Sequence, residues 1–261
     1  MFGLSWRNAG RVALIELNRP PANAIGMLQV EQLSTILSEI EASSECRAVI
    51  FHSVCRFFSA GADIKLMAEH VDRADGAEAM AAMGAAMQQA FERVEAMPVV
   101  TIAAITGICV GGGLELALAC DVRVADAGAS MGLPEVKIGL LPAAGGTQRL
   151  TRIAGPAVAA RLILTGEIVS AERAYDFGIF QDLVEEGGAL DKAIEIAGMV
   201  SAAPRVTIEA IKRCLALAPS PEGYAMESRE TLSLHRQPET KALIRAFFER
   251  SAKPVRSAVS V

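Results

Sequence analysis

The stretch VGGGLELALACD, from Val110 to Asp121, constrains the fold of this chain most, because it sets three consecutive glycines and a carboxylate in an almost wholly apolar run. Glycine inside a helix costs about 1 kcal/mol relative to alanine, and a carboxylate buried without a partner costs more. Clustered glycine has three uses at such a position: dinucleotide binding, phosphate binding, and close approach of a ligand or a neighbouring backbone.

The glycine spacing excludes the first two uses. The dinucleotide fingerprint G-x-G-x-x-G needs a further glycine, yet Gly113 is followed by Leu-Glu-Leu-Ala-Leu-Ala. A phosphate-binding P-loop needs Lys-Ser or Lys-Thr after its glycines, and neither follows. What remains is a strand-to-helix turn. There, either the helix packs closely on the strand, or a ligand oxygen approaches the unpaired N–H groups of the first helical turn.

The second alternative is an oxyanion hole, which needs another N–H donor from elsewhere in the chain. FSAGADIK, at 58–65, is the candidate, since Gly61 permits a tight turn and the flanking alanines leave room for a ligand. Glu115 lies one turn into the apolar helix, where a carboxylate must be paired, protonated or functional. Glu135, in MGLPEVKIGLLP, is typical of a surface acid when taken alone. Two acids beside one oxyanion site can instead act as general base and general acid.

The apolar periodicity predicts an α/β core over 1–200 and a helical region over 201–261. Strand and helix patterns alternate in the first half, which indicates an α/β protein, and from Gly145 onward the pattern turns helical. The predicted strands are Val12–Leu17, Arg47–His52, Val99–Ile105 and Val122–Asp126, and the predicted helices of the core are Glu31–Ala42, Gly76–Met97 and Gly112–Cys120.

The net charge of −5 and the five cysteines without a C-x-x-C pair limit the classes of function. An acidic balance argues against nucleic-acid binding, although a few well-placed cations can still hold an anionic small molecule. The cysteine pattern suits reduced thiols in a cytoplasmic protein, and the three histidines lack metal-ligand spacing. The N-terminus is too interrupted by charges for a signal peptide. The longest apolar stretch, Pro98–Cys120, contains GGG and Glu115, so we expect no membrane span.

Three ordered motifs resemble the enoyl-CoA hydratase/isomerase (crotonase) superfamily: FSAGADIK, GICVGGGLELALACDVRVAD and GLPEVKIGLLPAAGGTQRL. The similarity continues through LTGEIVSAERAYDFGIFQDLV and extends from Leu4 to Pro219. The resemblance implies a spiral core of ββα repeats, a helical C-terminal trimerisation layer, and a homo-oligomer that is a trimer or a dimer of trimers. It also implies an acyl-CoA substrate, with no metal and no cofactor other than the coenzyme A that the substrate carries.

The resemblance places the oxyanion hole at the N–H groups of Ala62 and Gly112 and the two catalytic glutamates at Glu115 and Glu135. The implied activity is that of an enoyl-CoA hydratase, as in the β-oxidation of fatty acids. Ala62 and Gly112 hold the thioester oxygen of a 2-enoyl-CoA. Glu115 acts as base on the water that attacks Cβ, and Glu135 delivers a proton to Cα, which gives a 3-hydroxyacyl-CoA.

The same resemblance supplies candidate substrate contacts. Lys65 is the first candidate for a coenzyme A phosphate, with an ordinary solvated lysine as the alternative, and Arg250 is a second cation that could reach coenzyme A. Ala143 stands where many members of the family have a glycine, and alanine keeps the N–H group but not the φ freedom. The remaining candidates flank the oxyanion alanine: Ala60, Asp63 and Ile64.

Several alternatives stay open. The methionines of the region 67–97 can line an adaptable acyl pocket or simply fill the core: Met67, Met80, Met83 and Met87. Within the superfamily, a Δ3–Δ2 enoyl-CoA isomerase and a hydratase or lyase for a branched or aromatic acyl group are rivals to the hydratase. Both glutamates favour hydration, since simple isomerases of the superfamily often keep only the second. A non-catalytic binding scaffold is the rival outside enzymes, and the retained motifs weigh against it.

Overall fold

The computed structural model describes residues 2–251, with side chains described for 2–249. The chain forms two compact units, Met1–Ala202 and Ala203–Val261. The first unit mixes strands and helices, and the second is helical over its described residues. Among the described residues, no helix combines the length and the apolarity that a membrane crossing requires.

Nine strands lie in the described part of the first unit. They are β1 (Phe2–Arg7), β2 (Val12–Leu17), β3 (Ala48–Ser53), β4 (Val100–Ile105), β5 (Ile108–Val110), β6 (Val122–Asp126), β7 (Ser130–Gly132), β8 (Ile168–Ser170) and β9 (Asp182–Val184). The larger sheet has the order β1-β2-β3-β4-β6-β9, in which β1 and β2 are antiparallel and all other neighbours are parallel. The smaller sheet has the order β5-β7-β8, with β5 parallel to β7 and β7 antiparallel to β8.

The strand predictions are confirmed within one residue at each end. Parallel strands that are buried on both faces form continuous apolar runs, and this is the pattern of β2, β3 and β4. The prediction missed β1 and the three-residue strands β5, β7, β8 and β9. Three residues are too few to establish a period of two, so pairing rather than local pattern defines them.

Eight α-helices lie in the described part of the first unit. They are α1 (Met27–Ala42), α2 (Ile64–His70), α3 (Gly76–Ala96), α4 (Gly112–Ala119), α5 (Gly146–Ala154), α6 (Pro156–Thr165), α7 (Ala171–Asp176) and α8 (Ala189–Val200), with a 3₁₀ helix at Glu135–Ile138. Helix α1 begins four residues before the predicted Glu31, because the Gln29 side chain accepts a hydrogen bond from Gly26 N at the helix start. The second unit contains α9 (Arg205–Ala216), α10 (Pro221–Arg236) and α11 (Pro238–Ser251).

The two faces of the larger sheet carry separate apolar layers. On one face, Ile15 belongs to the same buried cluster as residues of α1, α3 and α4. On the other face, Leu14 packs with the alanines of α8. Every residue of α4 is buried, so the glycine-rich helix and its carboxylate lie inside the core of the first unit.

Candidate active site

The two glycine-containing motifs lie side by side. Phe58 N donates to Thr106 O, Ser59 N donates to Ile108 O, and Val110 N donates back to Ser59 O, at distances of 2.8, 3.1 and 3.0 Å. The segment 58–62 therefore runs along β5 and ends beside the start of α4. This pairing joins two motifs that are about fifty residues apart in the sequence.

Close backbone contact explains why glycine is needed on both sides of this junction. Gly61 has φ +94°, and a β-carbon there would lie 3.0 Å from Val110 O. A β-carbon on Gly112 would lie 3.6 Å from the backbone nitrogen of Ala62. Side chains at these positions would strain the turn or fill the space between the two segments.

Two N–H groups converge at this space. Gly112 is the first residue of α4, so its N–H has no partner within the helix. Ala62 pairs with Ile25 in an isolated β-bridge. In this bridge Ile25 N donates to Gly61 O and Asp63 N donates to Ile25 O, so the nitrogen of Ala62 takes no part. Within residues 2–251 neither N–H group has an acceptor. Two adjacent, unpaired donors of this kind can stabilise an oxygen that becomes negative.

Glu115 is held in the core by backbone groups. Its side chain lies in the first turn of α4 and the residue is only 3% exposed. Its Oε1 accepts hydrogen bonds from Ala144 N and from Gly146 N, each at 2.8 Å. Burial is the largest effect and raises the pKa of Glu115 to about 7; the nearby Glu135 also raises it, while the N–H donors and Arg149 oppose the rise. The group can therefore exchange a proton near neutral pH.

Glu135 lies beside the glycine turn. It begins the 3₁₀ helix that follows β7, and β7 is joined to the turn by the bond from Gly111 N to Gly132 O. A β-carbon on Gly111 would lie 3.2 Å from Glu135 Oε1. Oε2 is buried without a hydrogen-bond partner in the described part of the chain. Burial raises the pKa of Glu135, and its own backbone N–H partly opposes this. Unlike a surface acid, Glu135 points into the structure.

The turn 143–146 connects the motif of Glu135 to that of Glu115. The exposed Ala143 lies outside the left-handed region of φ, so it occupies its position without strain. It lies against α3, where a β-carbon on Gly84 would be 3.3 Å from its own. The residues whose N–H groups bind Glu115 are Ala144 and Gly146, which sequence reasoning did not select. The paired glycines of AAGGTQ were the available signal.

Most of the other predicted substrate contacts are sequence neighbours of Ala62. Lys65 and Ile64 are exposed at the start of α2, and the Lys65 ammonium group has no ion pair among the described residues. Ala60 is half-buried and its N–H donates to Ala22 O. Asp63 is the N-cap of α2: its carboxylate accepts from Lys65 N and Leu66 N and pairs with Arg19 at 2.5 Å. The Arg250 side chain lies outside the described residues.

The candidate methionines of α2 and α3 divide into two kinds. Met83 and Met87 of α3 are buried in the core, whereas Met80 of α3 and Met67 of α2 are partly buried against it. The Met87 methyl group also reaches the glycine turn at the start of α4, since a β-carbon on Gly112 would lie 2.5 Å from it. Core packing therefore accounts for Met83, and Met87 both packs and borders the site.

Comparison with known proteins identifies one family. The model of the enoyl-CoA hydratase/isomerase family matches residues 7–255. A probable enoyl-CoA hydratase of Bacillus subtilis (strain 168) is 37% identical over 246 residues, which cover 92% of this chain and 93% of that protein. A short-chain-enoyl-CoA hydratase of Clostridium acetobutylicum is 35% identical over 208 residues, covering 79% of this chain and 78% of that protein.

A solved structure shows the same architecture. The enoyl-CoA hydratase of Bacillus anthracis superposes with a TM-score of 0.89 at 32% identity, and the match covers 95% of this chain and 96% of that one. These similarities confirm the predicted fold class, a crotonase-like α/β core with a helical C-terminal layer.

Proposed function

This chain belongs to the enoyl-CoA hydratase/isomerase family, and from that premise we propose that it adds water to a 2-enoyl-CoA to give a 3-hydroxyacyl-CoA. One observation carries the proposal: two unpaired backbone N–H groups, the half-buried Glu135 and the buried Glu115 all lie at the glycine turn or within one helical turn of it. Hydration needs a site for the enolate oxygen, a base for water and an acid for Cα. The junction can supply all three from its own residues.

The N–H groups of Ala62 and Gly112 are proposed to hold the thioester oxygen. As water adds to Cβ, electrons move through the double bond to this oxygen and form an enolate. Donors that are already fixed stabilise this charge more than they stabilise the neutral carbonyl, so they lower the barrier. Loss of one such donor typically costs about 2.7–4 kcal/mol.

Glu115 and Glu135 are proposed to divide the proton transfers. Glu115 takes a proton from the water as its oxygen bonds to Cβ, and Glu135 gives a proton to Cα as the enolate collapses. A base with a pKa of about 7 is substantially ionised at neutral pH and still basic enough to accept a proton. Burial raises the pKa of Glu135, which favours the protonated form that an acid requires.

The coenzyme A part of the substrate is proposed to lie over the start of α2. The exposed Lys65 is available for a phosphate, and the exposed Ile64 offers an apolar contact beside it. Ala60 is proposed to contribute through its backbone carbonyl, because its N–H is already bonded. Ala143, exposed beside Gly84, is proposed to border the space for the acyl group.

The second unit is proposed to join copies of the chain in a homo-oligomer, either a trimer or a dimer of trimers. Its described helices expose large apolar side chains, including Leu215, Tyr224 and Leu232. Clusters of exposed apolar residues commonly mark protein interfaces. Light scattering on the purified protein tests this, and a monomer at micromolar concentration would contradict it.

Purified protein and crotonyl-CoA test the proposed reaction, which is followed by the loss of absorbance of the conjugated thioester. We expect turnover by the wild type and a loss of roughly 10²–10⁴-fold in kcat for Glu115→Gln and for Glu135→Gln. The exposed Glu45 provides the matched control, and Glu45→Gln should retain wild-type kinetics.

A panel of substrates separates hydration from its alternatives. It contains short, long, branched and aromatic 2-enoyl-CoA esters and a 3-enoyl-CoA. Absence of hydration with every 2-enoyl ester would refute the proposal. Conversion of the 3-enoyl ester alone would identify an isomerase instead.

A further inference from the structure

Arg149 is a buried cation on α5 for which the proposed reaction gives no direct role. The residue is 4% exposed. Its Nη1 donates to Ala144 O at 2.8 Å, and its Nε donates to Glu95 Oε2 at 2.8 Å. Glu95 also pairs with Arg152, at the exposed end of the same helix. The guanidinium therefore links α3, through Glu95, to the backbone of the turn 143–146.

The same turn is bound from its opposite side by Glu115. Ala144 N and Gly146 N donate to Glu115 Oε1, while the carbonyl of Ala144 accepts from Arg149. Gly145 has φ +102°, and a β-carbon there would lie 2.1 Å from Arg149 Nη1. The absence of a side chain at Gly145 thus makes room for the guanidinium against the backbone of the turn.

Burial of this guanidinium is not explained by stability alone. A buried charge carries a large desolvation cost, and well-packed apolar residues often serve stability as well or better. The planar, forked donor set of arginine can reach a carbonyl and a carboxylate simultaneously, which neither lysine nor an apolar residue can do. An arginine at this position is therefore suited to holding the backbone turn in place.

We infer that Arg149 is a positioning residue for Glu115: with Glu95 it fixes the turn 143–146, so that the N–H groups of Ala144 and Gly146 hold the Glu115 carboxylate in its reactive orientation. This inference rests on the proposed function for its kinetic consequence. The arrangement of Arg149, the turn and Glu115 does not depend on it.

The charges around Arg149 predict the direction in which its removal shifts the pKa of Glu115. Glu95 faces it from α3, Glu115 faces it from α4 across the turn, and Arg152 lies on its own helix. Glu135 lies beyond Glu115 and raises the pKa of Glu115, whereas the positive charge of Arg149 lowers it. Removal of Arg149 should therefore shift the ionisation of Glu115 to higher pH.

Three variants test the positioning role: Arg149→Met, Arg149→Lys and Glu95→Gln. The matched control is Arg93→Met. Arg93 also joins a backbone carbonyl, that of Ser34, to a carboxylate, that of Glu41, but links α3 to α1 instead of to the turn. Each protein is checked for folding by circular dichroism and thermal melting before kinetics.

We expect Arg149→Met to lower kcat by on the order of 10–100-fold with little change in KM, because a displaced catalytic group commonly costs this much. The acidic limb of its kcat/KM profile should move to higher pH. Arg149→Lys should restore the position of the limb, since the charge returns, but only part of kcat. Glu95→Gln should lower kcat less than Arg149→Met.

Hydrogen exchange of the backbone amides of 143–146, measured without substrate, separates this inference from the proposed function. Exchange should accelerate in Arg149→Met and remain unchanged in Arg93→Met. If the wild type hydrates no substrate, the proposed function is wrong. The difference in amide exchange between the wild type and Arg149→Met still decides whether Arg149 holds the turn. If a folded Arg149→Met or Arg149→Lys protein shows wild-type exchange, kcat and pH profile, the inference is wrong. If Arg149→Met does not fold, the same measurements on Arg149→Lys and Glu95→Gln test the inference.

Discussion

Replacement of Glu115 by glutamine is expected to stabilise the protein above neutral pH at the same time as it removes turnover. Burial raises the pKa of Glu115 to about 7 from an ordinary value of 4.5. Between these values the folded state holds more protons than the unfolded state, so the free energy of unfolding falls as the pH rises. Each pKa unit corresponds to about 1.4 kcal/mol. Ionisation of Glu115 therefore costs the fold about 3 kcal/mol at pH 8.

Glutamine resembles the protonated carboxyl group in shape and charge. Its amide oxygen can accept the two N–H bonds that Oε1 accepts from Ala144 and Gly146. The variant should thus lie within about 1 kcal/mol of the wild type near pH 5, where folded Glu115 is protonated and only the unfolded carboxyl group is partly ionised. At pH 8 it should be more stable by about 3 kcal/mol, because only the wild type then carries a buried charge.

Urea unfolding of both proteins at pH 5 and pH 8 measures this difference. Protein concentration must be equal in all samples, since an oligomer has concentration-dependent apparent stability. Glu45→Gln controls for the loss of a surface carboxylate. A stability difference that stays constant between the two pH values would refute the burial argument, and so would a variant that is less stable than the wild type at pH 8.

Two further substitutions test the oxyanion turn and its surroundings. Gly112→Ala places a β-carbon 2.5 Å from the Met87 methyl group and 3.6 Å from Ala62 N, so it displaces Met87 and narrows the space proposed for the thioester oxygen, and it should lower kcat/KM by about 10²–10³-fold. Gly198→Ala, whose β-carbon meets nothing within 4 Å, is the control, and equal kinetics for the two variants would contradict the assignment. Asp63→Ala removes the N-cap of α2 and the ion pair with Arg19, and should lower stability by about 1 kcal/mol with most of kcat retained. Thermal melting measures the loss, and a large fall in kcat would show that Asp63 does more than cap the helix.

The burial of Glu115 could be predicted from its neighbours, but the half-buried, inward-pointing position of Glu135 could not. Leu114 and Leu116 flank Glu115 in an apolar helix, so any packing of that helix buries the carboxylate. Glu135 begins a short 3₁₀ helix whose following residues are exposed. Only the pairing of β7 with β5 brings it to the glycine turn, and strands of three residues leave no periodic signal.

The groups that hold Glu115 were also beyond the reach of local patterns. Its donors are backbone N–H groups of a turn about thirty residues away, and a backbone donor has no residue type by which to recognise it. Arg149 lies in an amphipathic segment beside the buried Leu150, where a helix of mixed composition predicts an exposed arginine as readily as a buried one. The resemblance to a family located the carboxylate, whereas the supporting turn required the three-dimensional arrangement.

Hydrogen bonding, more than burial, supports the proposed division between base and acid. Burial raises the pKa of both Glu115 and Glu135, and that of Glu115 to about 7, so burial alone does not make Glu115 the base. Glu135 raises the pKa of Glu115, so the titrations of the two carboxyl groups influence each other. Glu115 Oε1 receives two N–H donors, which favour its ionised form. Glu135 Oε2 is buried without a donor in the described part of the chain, which favours its protonated form. These contacts favour an ionised Glu115 and a protonated Glu135, which is the pairing that the proposed hydration requires.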